Sequence, residues 1–418
     1  MLDIKFIREN KDLIVAGIQK RNRTFDIDEL LKIDDERIAL LQKVETQRGK
    51  QNMATEAIAN LSGTEKQKKI QEMQTFKIAL SKDEDALKGV LKKWRELMLK
   101  VPNLPDTTVP EGKDENDNKK LKIWGIQTEF NFSPKGHIEL MEKLSMVDFS
   151  RGSKVHGFRG YFLKNDGALL SWAIWNYAQD FFLKKGFTPF IAPAIVKKEY
   201  FYGTGHLPND AEDLYTTQDG DCLSGTAEVP MMAYHANEIL DKKNLPIKYL
   251  AFSPCYRREA GSYGKDTKGL IRVHEFFKLE QLILCEANHE ESVKYHEEIN
   301  RNTEEFIESL EIPYRQLEIC TGDLKSAQVK SYDIELWIPS EKTYREISSA
   351  SYYHDFQTRR FNVRYNDNGK KHYTHSLNGT AIPTPRILVA LIENNQKEDG
   401  SIGIPKVLQK YFGKDKIV

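Results

Sequence analysis

The chain has 418 residues, with 62 Lys plus Arg balanced by 62 Asp plus Glu. A formal charge of zero excludes a globally basic nucleic-acid binder, although it leaves room for a local basic stripe. Hydrophobic residues make up 39% and aromatics 10%, enough for a sizeable core, and the length suits two or three domains.

The first ten residues are charged and lack an apolar stretch. No apolar run approaches the roughly 18 residues that a membrane span needs, so a cytoplasmic protein with no membrane partner is expected. Residues 30–98 carry two heptad seams. The first runs Leu30, Ile33, Arg37, Leu40, Val44, Gln47, Gln51, Ala54, Ile58, Leu61; the second runs Ile70, Met73, Lys77, Leu80, Glu84, Leu87, Leu91, Trp94, Met98. Ser62-Gly63-Thr64 between them is a turn signal. Two helices of similar length joined so tightly pair antiparallel, forming a coiled-coil hairpin about 48 Å long. Polar seam positions lower the hairpin's stability. Its distal part, 43–79, carries seven basic residues against four acidic ones, a surplus of three. Such an arm fits either a dimerisation spacer or contact with a polyanion backbone.

Pro102, Pro105 and Pro110 end the helical pattern, and residues 111–120 are almost all charged or amide-bearing. The expected organisation is therefore a helical arm over 1–101, a linker over 102–120 and a second domain over 121–418. In that domain a helix is expected over 169–182, and strands over 190–195, 249–258, 271–285, 331–338 and 344–349. A helix over 385–394 closes the pattern. Runs of strands with few helices between them favour an α+β fold on an antiparallel sheet flanked by helices.

Several common engines are missing. Gly264-Lys265 lacks the first glycine of a phosphate loop. His274-Glu275 is followed by Lys278 where a zincin needs its second histidine. The run 260–264 starts with Ala260 where a nucleophile elbow has glycine. The four cysteines, Cys222, Cys255, Cys285 and Cys320, form no C-x-x-C pair, so reduced thiols are expected and zinc is not.

What remains is a hairpin over 249–285. Alternation turns Ile271, Val273, Phe277, Leu279 and Ile283 one way, and Arg272, His274, Phe276 and Glu280 the other. Arg257 and Glu259 share a face of the first strand, and Lys265 and Lys268 lie in the loop. Ordinary cross-strand ion pairs would explain the charges, but not a phenylalanine among them. A ring between guanidinium groups suits a nucleobase and its phosphates. Thr226-Ala227-Glu228 precedes Pro230. Tyr344-Arg345-Glu346-Ile347-Ser348-Ser349 ends a strand with hard oxygen donors suited to Mg²⁺. Asn378-Gly379-Thr380 leads to Thr384-Pro385-Arg386, where the proline suits a first helical turn.

In this order the segments resemble the signature motifs of class II aminoacyl-tRNA synthetases, and most closely the bacterial-type seryl-tRNA synthetase family. Cys255-Tyr256-Arg257-Arg258-Glu259-Ala260-Gly261-Ser262, continued through His274, resembles motif 2. Arg386 resembles motif 3, Pro193 resembles the motif 1 proline of a homodimer interface, and the hairpin resembles the family's tRNA-binding arm.

The resemblance implies serine activation by ATP and transfer to tRNA(Ser), with tRNA(Sec) as a second acceptor. It implies that Arg257 and Arg386 are catalytic and that Arg257 grips the α-phosphate and the serine carboxylate. Glu259, Phe276 and Arg386 would hold the adenine, with Arg272 serving the phosphates and Arg258, Val273, Ile347 and Ser348 lining the ATP site. Glu346 and Ser349 would bind Mg²⁺. Thr226, Ala227 and Glu228 would meet the serine ammonium end, while Glu280 and Thr380 read its hydroxyl. The sequence departs from the family pattern at Ser348 to Tyr352 (S-S-A-S-Y), at Arg258 and at Thr380, where many members carry serine. Two other readings stay open: an amino acid–carrier protein ligase, which lacks the arm, and a non-catalytic RNA-binding paralogue, which would have broken motifs.

Overall fold

A computed structural model describes all residues except Tyr263 and Lys265, and excepts the Ser262 side chain; the loop lysine Lys265 therefore lies outside the described residues. The chain forms two compact units. One comprises Leu2–Gln19 and Arg23–Pro102; the other comprises Asn103–Val418 with residue 1 and Lys20–Asn22.

The smaller unit is built on α1 (Ile27–Ala59) and α2 (Gly63–Lys100). Asp26 caps α1 by accepting from the Glu29 amide at 2.9 Å, and Asp28 and Glu29 in the first turn suit the helix dipole. Val44, Leu80 and Leu87 are buried in the seam with Leu40 and Leu41 against them. Some polar seam residues find partners, although Gln47 Oε1 is buried without a hydrogen bond. Gln47 donates to Asp83 at 2.9 Å, Arg48 pairs with Glu84 at 2.6 Å, and the Arg37 guanidinium lies 4.9 Å from the Trp94 ring centre. Exposed pairs of this kind contribute under about 1 kcal/mol each, so the apolar seam carries the hairpin.

The larger unit holds an eight-stranded sheet. Its strands are β1 (Lys119–Trp124), β2 (Thr188–Ile191), β3 (Ile247–Tyr256), β4 (Glu275–Cys285), β5 (Tyr314–Glu318), β6 (Lys330–Ile338), β7 (Thr343–His354) and β8 (His375–Thr384). They lie in the order β1-β5-β6-β7-β8-β4-β3-β2. Every pairing is antiparallel except the edge pair β2–β3. The helices used below are α3 (Asp166–Leu183), α4 (Lys198–Thr204), α5 (Glu228–Ala233), α6 (His289–Ser309) and α7 (Arg386–Asn394). One sheet face packs Leu279 and Ile283 against Ile299 and Phe306 of α6 and Ile174 and Phe182 of α3. Helix α7 is apolar around its whole circumference, Ile387 to Ile392 all being buried, as a fully enclosed helix must be.

The α+β architecture and the hairpin follow the sequence pattern, with three differences. The strand expected over 190–195 divides after Ile191, because Pro193 has no amide to donate. The strand expected from 271 begins at Glu275; the Ile271 carbonyl is taken by Arg386 and the Leu270 amide by His137. Of the linker expected over 102–120, all but Pro102 belongs to the larger unit. The Asn103 amide donates to the carbonyls of Ala327 and Tyr353, and Val109 is buried with Ile319 and Leu324.

Candidate active site

The β3–β4 register sets Phe276 opposite Cys255, and the Arg257 amide continues the ladder onto the His274 carbonyl. Arg257 thereby shares a face with Phe276, and its guanidinium stands 5.3 Å from the ring centre. Arg386 opens α7 and spans the same slot, donating to the carbonyls of Ile271 at 2.9 Å and Glu346 at 2.8 Å. Burial pushes the Arg386 guanidinium pKa down. Arg257, Glu259, Arg272, Val273, Phe276, Lys278, Glu346, Ile347, Thr380 and Arg386 all line this slot. Glu259 and Arg272 form an ion pair at 3.0 Å, with Arg159 at 3.8 Å from the same carboxylate and Asp266 on the other side of Arg272.

A bulge decides the next group. Asp333 pairs with Ser349 and Glu335 with Glu346, so Ile347 is skipped in the β6–β7 register. Three residues apart, Glu346 and Ser349 would face opposite ways on a regular strand; the bulge brings both onto the face of Asp333 and Glu335. All four line a polar cavity of about 480 Å³ that also includes Arg257. Burial and the neighbouring Glu346 hold the Asp333 carboxyl well above the usual carboxylate range. Its Oδ1 is buried without a hydrogen-bond partner, and the Glu346 carboxylate has no partner among the described residues. Hard, uncommitted oxygens of this kind fit Mg²⁺, which binds through one or two protein oxygens and takes the rest from water and phosphate. Among the described residues no cluster of three or more His, Cys, Asp or Glu is arranged to hold a metal unaided.

A second bulge skips Ala381, so that Thr380 on β8 lies opposite Glu280 on β4. Glu280 is buried, and its Oε2 lies 2.5 Å from Lys278 Nζ. The same oxygen accepts from the hydroxyls of Thr380 at 3.3 Å and Thr226 at 3.4 Å. Lys278 in turn donates to the Thr380 hydroxyl at 3.3 Å. Burial raises the Glu280 pKa, with Lys278 opposing. The result is a small, buried, polar corner at the end of the slot.

Four residues expected at the site, and His274 of the expected hairpin face, sit elsewhere. Arg258 lies over Tyr215, 6.0 Å from its ring centre, and lines neither of these two cavities. The missing strand start undoes the alternation over 271–274: Val273 enters the slot, while His274 packs with His156, Phe158 and Tyr215. Glu228 is tied to the Gln357 amide at 2.7 Å, and Ala227 is buried in an apolar cluster with Met231 and Leu282. Ser348 is buried, its hydroxyl given to the Thr380 carbonyl. The sequence reading missed Lys278 and Asp333. Lys278 was findable, since it stands two residues before Glu280 on the same strand face.

The family model for the seryl-tRNA synthetase N-terminal domain matches residues 1–105, and that for the class II tRNA synthetase core domain (G, H, P, S and T) matches residues 215–395. A serine–tRNA ligase of Deinococcus radiodurans is 43% identical over 99% of this chain and 98% of its own length. The chain belongs to the seryl-tRNA synthetase family. Solved members of that family share its fold over the whole length. The Pyrococcus horikoshii seryl-tRNA synthetase, complexed with ATP, has a TM-score of 0.88 and 40% identity, covering 100% of this chain and 99% of that one. The cytoplasmic serine–tRNA ligase of Naegleria fowleri, in complex with AMP, has a TM-score of 0.85 and 31% identity, covering 100% and 98%.

Proposed function

We propose that the protein activates L-serine with ATP and transfers the seryl group to tRNA(Ser), and to tRNA(Sec) where one is present. The serine carboxylate attacks the α-phosphorus, seryl-adenylate forms and pyrophosphate leaves. A terminal ribose hydroxyl then attacks the seryl carbonyl, forming the ester and releasing AMP and a proton. The observation that carries this reading is the Lys278–Glu280–Thr380–Thr226 corner at the end of a slot walled by Phe276 and Arg386. A buried site built to hydrogen-bond a hydroxyl rejects an analogue lacking it by about 10⁴–10⁵.

Arg257 lines both the slot and the acidic cavity, which supports its role toward both the α-phosphate and the serine carboxylate. The slot is narrow, about 60 Å³; entry of an adenine between Phe276 and Arg386 requires Arg386 to leave a backbone carbonyl it now occupies. Glu346 and Ser349 would hold Mg²⁺, which when bound neutralises charge between the phosphates. The activation step needs no protein nucleophile, only placement and fixed positive charge.

Three further features support the family's wider organisation. The hairpin's basic distal residues suit contact with tRNA. Exposed apolar residues on α3 and the edge strand β2 suit a homodimer. A cytoplasmic location belongs to the same proposal, and no described helix is long and apolar enough to cross a membrane. Serine-dependent pyrophosphate–ATP exchange tests the proposal. Exchange with serine and not with alanine is expected; a carrier-protein ligase would exchange yet fail to charge tRNA, and a non-catalytic paralogue would not exchange at all.

A further inference from the structure

Leu270 lines the nucleotide slot together with Arg272 and Val273, and the β4 ladder begins only at Glu275. Side chains hold the backbone of this stretch at two points. Arg386 donates to the Ile271 carbonyl at 2.9 Å. The buried Leu270 amide donates to Nε2 of His137 at 3.2 Å. A buried amide needs a partner, and here an imidazole from a distant segment, the short helix His137–Lys143, supplies it.

We infer that His137 is a positioning residue for the activation step: its ring, oriented by Glu393, pins the Leu270 backbone and so keeps Leu270, Arg272 and Val273 along the wall that ATP must meet. The inference rests on the reaction proposed above.

Two independent constraints fix the ring. Nε2 faces a backbone amide, which can only donate, so Nε2 accepts and Nδ1 carries the proton. Nδ1 lies 3.1 Å from Oε1 of Glu393, a buried carboxylate. The same oxygen accepts from the His137 amide at 2.8 Å, and Oε2 accepts from the Ser340 amide at 3.1 Å. Burial alone would raise the Glu393 carboxyl, but these bonds hold it below its ordinary value. It is therefore ionised at neutral pH and accepts from Nδ1. Both ends of the ring demand the same neutral tautomer. The approach leaves no slack: Gly269, at φ +85°, precedes Leu270, and a Cβ there would collide with Nε2.

Glu393 and Arg386 stand seven residues apart on α7, about two turns, and so share a face. One end of the helix takes the Ile271 carbonyl directly; the other reaches the Leu270 amide through His137. ATP treats the two ties differently. Admitting an adenine takes Arg386 off a backbone carbonyl, whereas the His137 bond makes no demand on Arg386 and stays in place. The serine corner does not depend on the pin, since Lys278, Glu280 and Thr380 are held within the β3–β4–β8 ladder.

The test compares two amides at this position in the full-length protein, because His137→Ala would strip a partner from a buried carboxylate and mix function with stability. His137→Asn puts a donor where Nδ1 stood, within reach of Glu393, and falls short of Leu270. His137→Gln extends an oxygen to where Nε2 stood and keeps the Leu270 bond. Pyrophosphate–ATP exchange is measured with each substrate varied in turn. His137→Asn is expected to raise the ATP KM about tenfold, the cost of one buried hydrogen bond left unmade, with the serine KM changed less than about twofold. His137→Gln is expected to hold the ATP KM within about threefold of the wild-type value. Thermal unfolding should rank the two variants in the opposite order, because His137→Asn keeps the Glu393 pair and His137→Gln does not. A merely structural role would make activity follow stability. Equal ATP KM values for the two variants, ATP and serine KM rising together, or an ATP KM that tracks the melting temperature overturns the inference. Absence of serine-dependent exchange in the wild-type protein would instead overturn the functional reading beneath it.

Discussion

Glu280 is a buried carboxylate with three polar neighbours on one oxygen: Lys278 at 2.5 Å, Thr380 at 3.3 Å and Thr226 at 3.4 Å. Burying a carboxylate is costly unless it is paired, and breaking such a pair by truncation costs about 3–5 kcal/mol. An alanine would therefore mix lost recognition with lost stability, whereas Glu280→Gln keeps the shape and removes the charge. It is expected to raise the serine KM by roughly tenfold or more, the cost of a hydrogen bond to a charged group, with the ATP KM changed less than threefold. Exchange kinetics with each substrate varied in turn measure this; equal effects on both constants would remove Glu280 from serine reading. Single residues of this kind were legible where a segment of sequence carries them whole. Arg257, Phe276, Glu280, Glu346 and Arg386 were singled out and do line or adjoin one slot. Lys278 stands two residues before Glu280 on the same strand face, so its ion pair is readable from alternation, whereas its bond to Thr380 on the next strand is not. His274 leaves the face that alternation expects because the strand begins only at Glu275, and Arg258 lies over Tyr215, away from the slot.

At the scale of elements, the two bulges explain what periodicity could not show. A strict period of two puts Glu346 and Ser349 on opposite faces, and it gives no reason for Thr380 to oppose Glu280. Skipping Ile347 in one register and Ala381 in the other sets both. Bulges leave little trace in a single sequence, because the residue they set aside needs no special type. The hairpin lies at the other extreme. Its two seams, its turn and its length were all readable, because a long antiparallel pair repeats one local rule many times. The seam's burial is concentrated at Val44, Leu80 and Leu87, and the arm's residues belong to a compact unit distinct from the sheet. Replacing residues 30–100 by a short flexible linker is therefore expected to abolish tRNA charging by at least a hundredfold. Serine-dependent exchange should persist within a few-fold of the full chain. Charging that survives the replacement would make the arm a spacer.

At the scale of the whole molecule, the apolar surface is unevenly placed. Leu169 and Trp172 lie three residues apart on α3 and are 50% and 67% exposed; Ile191 on β2 is 85% exposed, and Ile195 just beyond it is 60% exposed. Strand β2 is also the end of the eight-stranded sheet, and an uncovered edge with apolar side chains invites pairing with another chain. Scattered single apolar residues are ordinary on a surface, but several on one helix and the neighbouring edge strand call for a partner. A second copy of this chain is the occupant that the Pro193 segment suggests, since that segment follows directly from β2. Burying an indole contributes about 2–3 kcal/mol on each side of a two-fold contact, and placing a carboxylate there adds desolvation to the loss. The wild-type protein is expected to elute and scatter as twice its 48.3 kDa chain mass. Trp172→Glu, at a position the isolated fold leaves exposed, is expected to shift that mass to a single chain at micromolar concentration with circular dichroism unchanged. A wild-type protein that is already a monomer at that concentration, or a variant that remains a dimer, would mean that this apolar band serves some other contact.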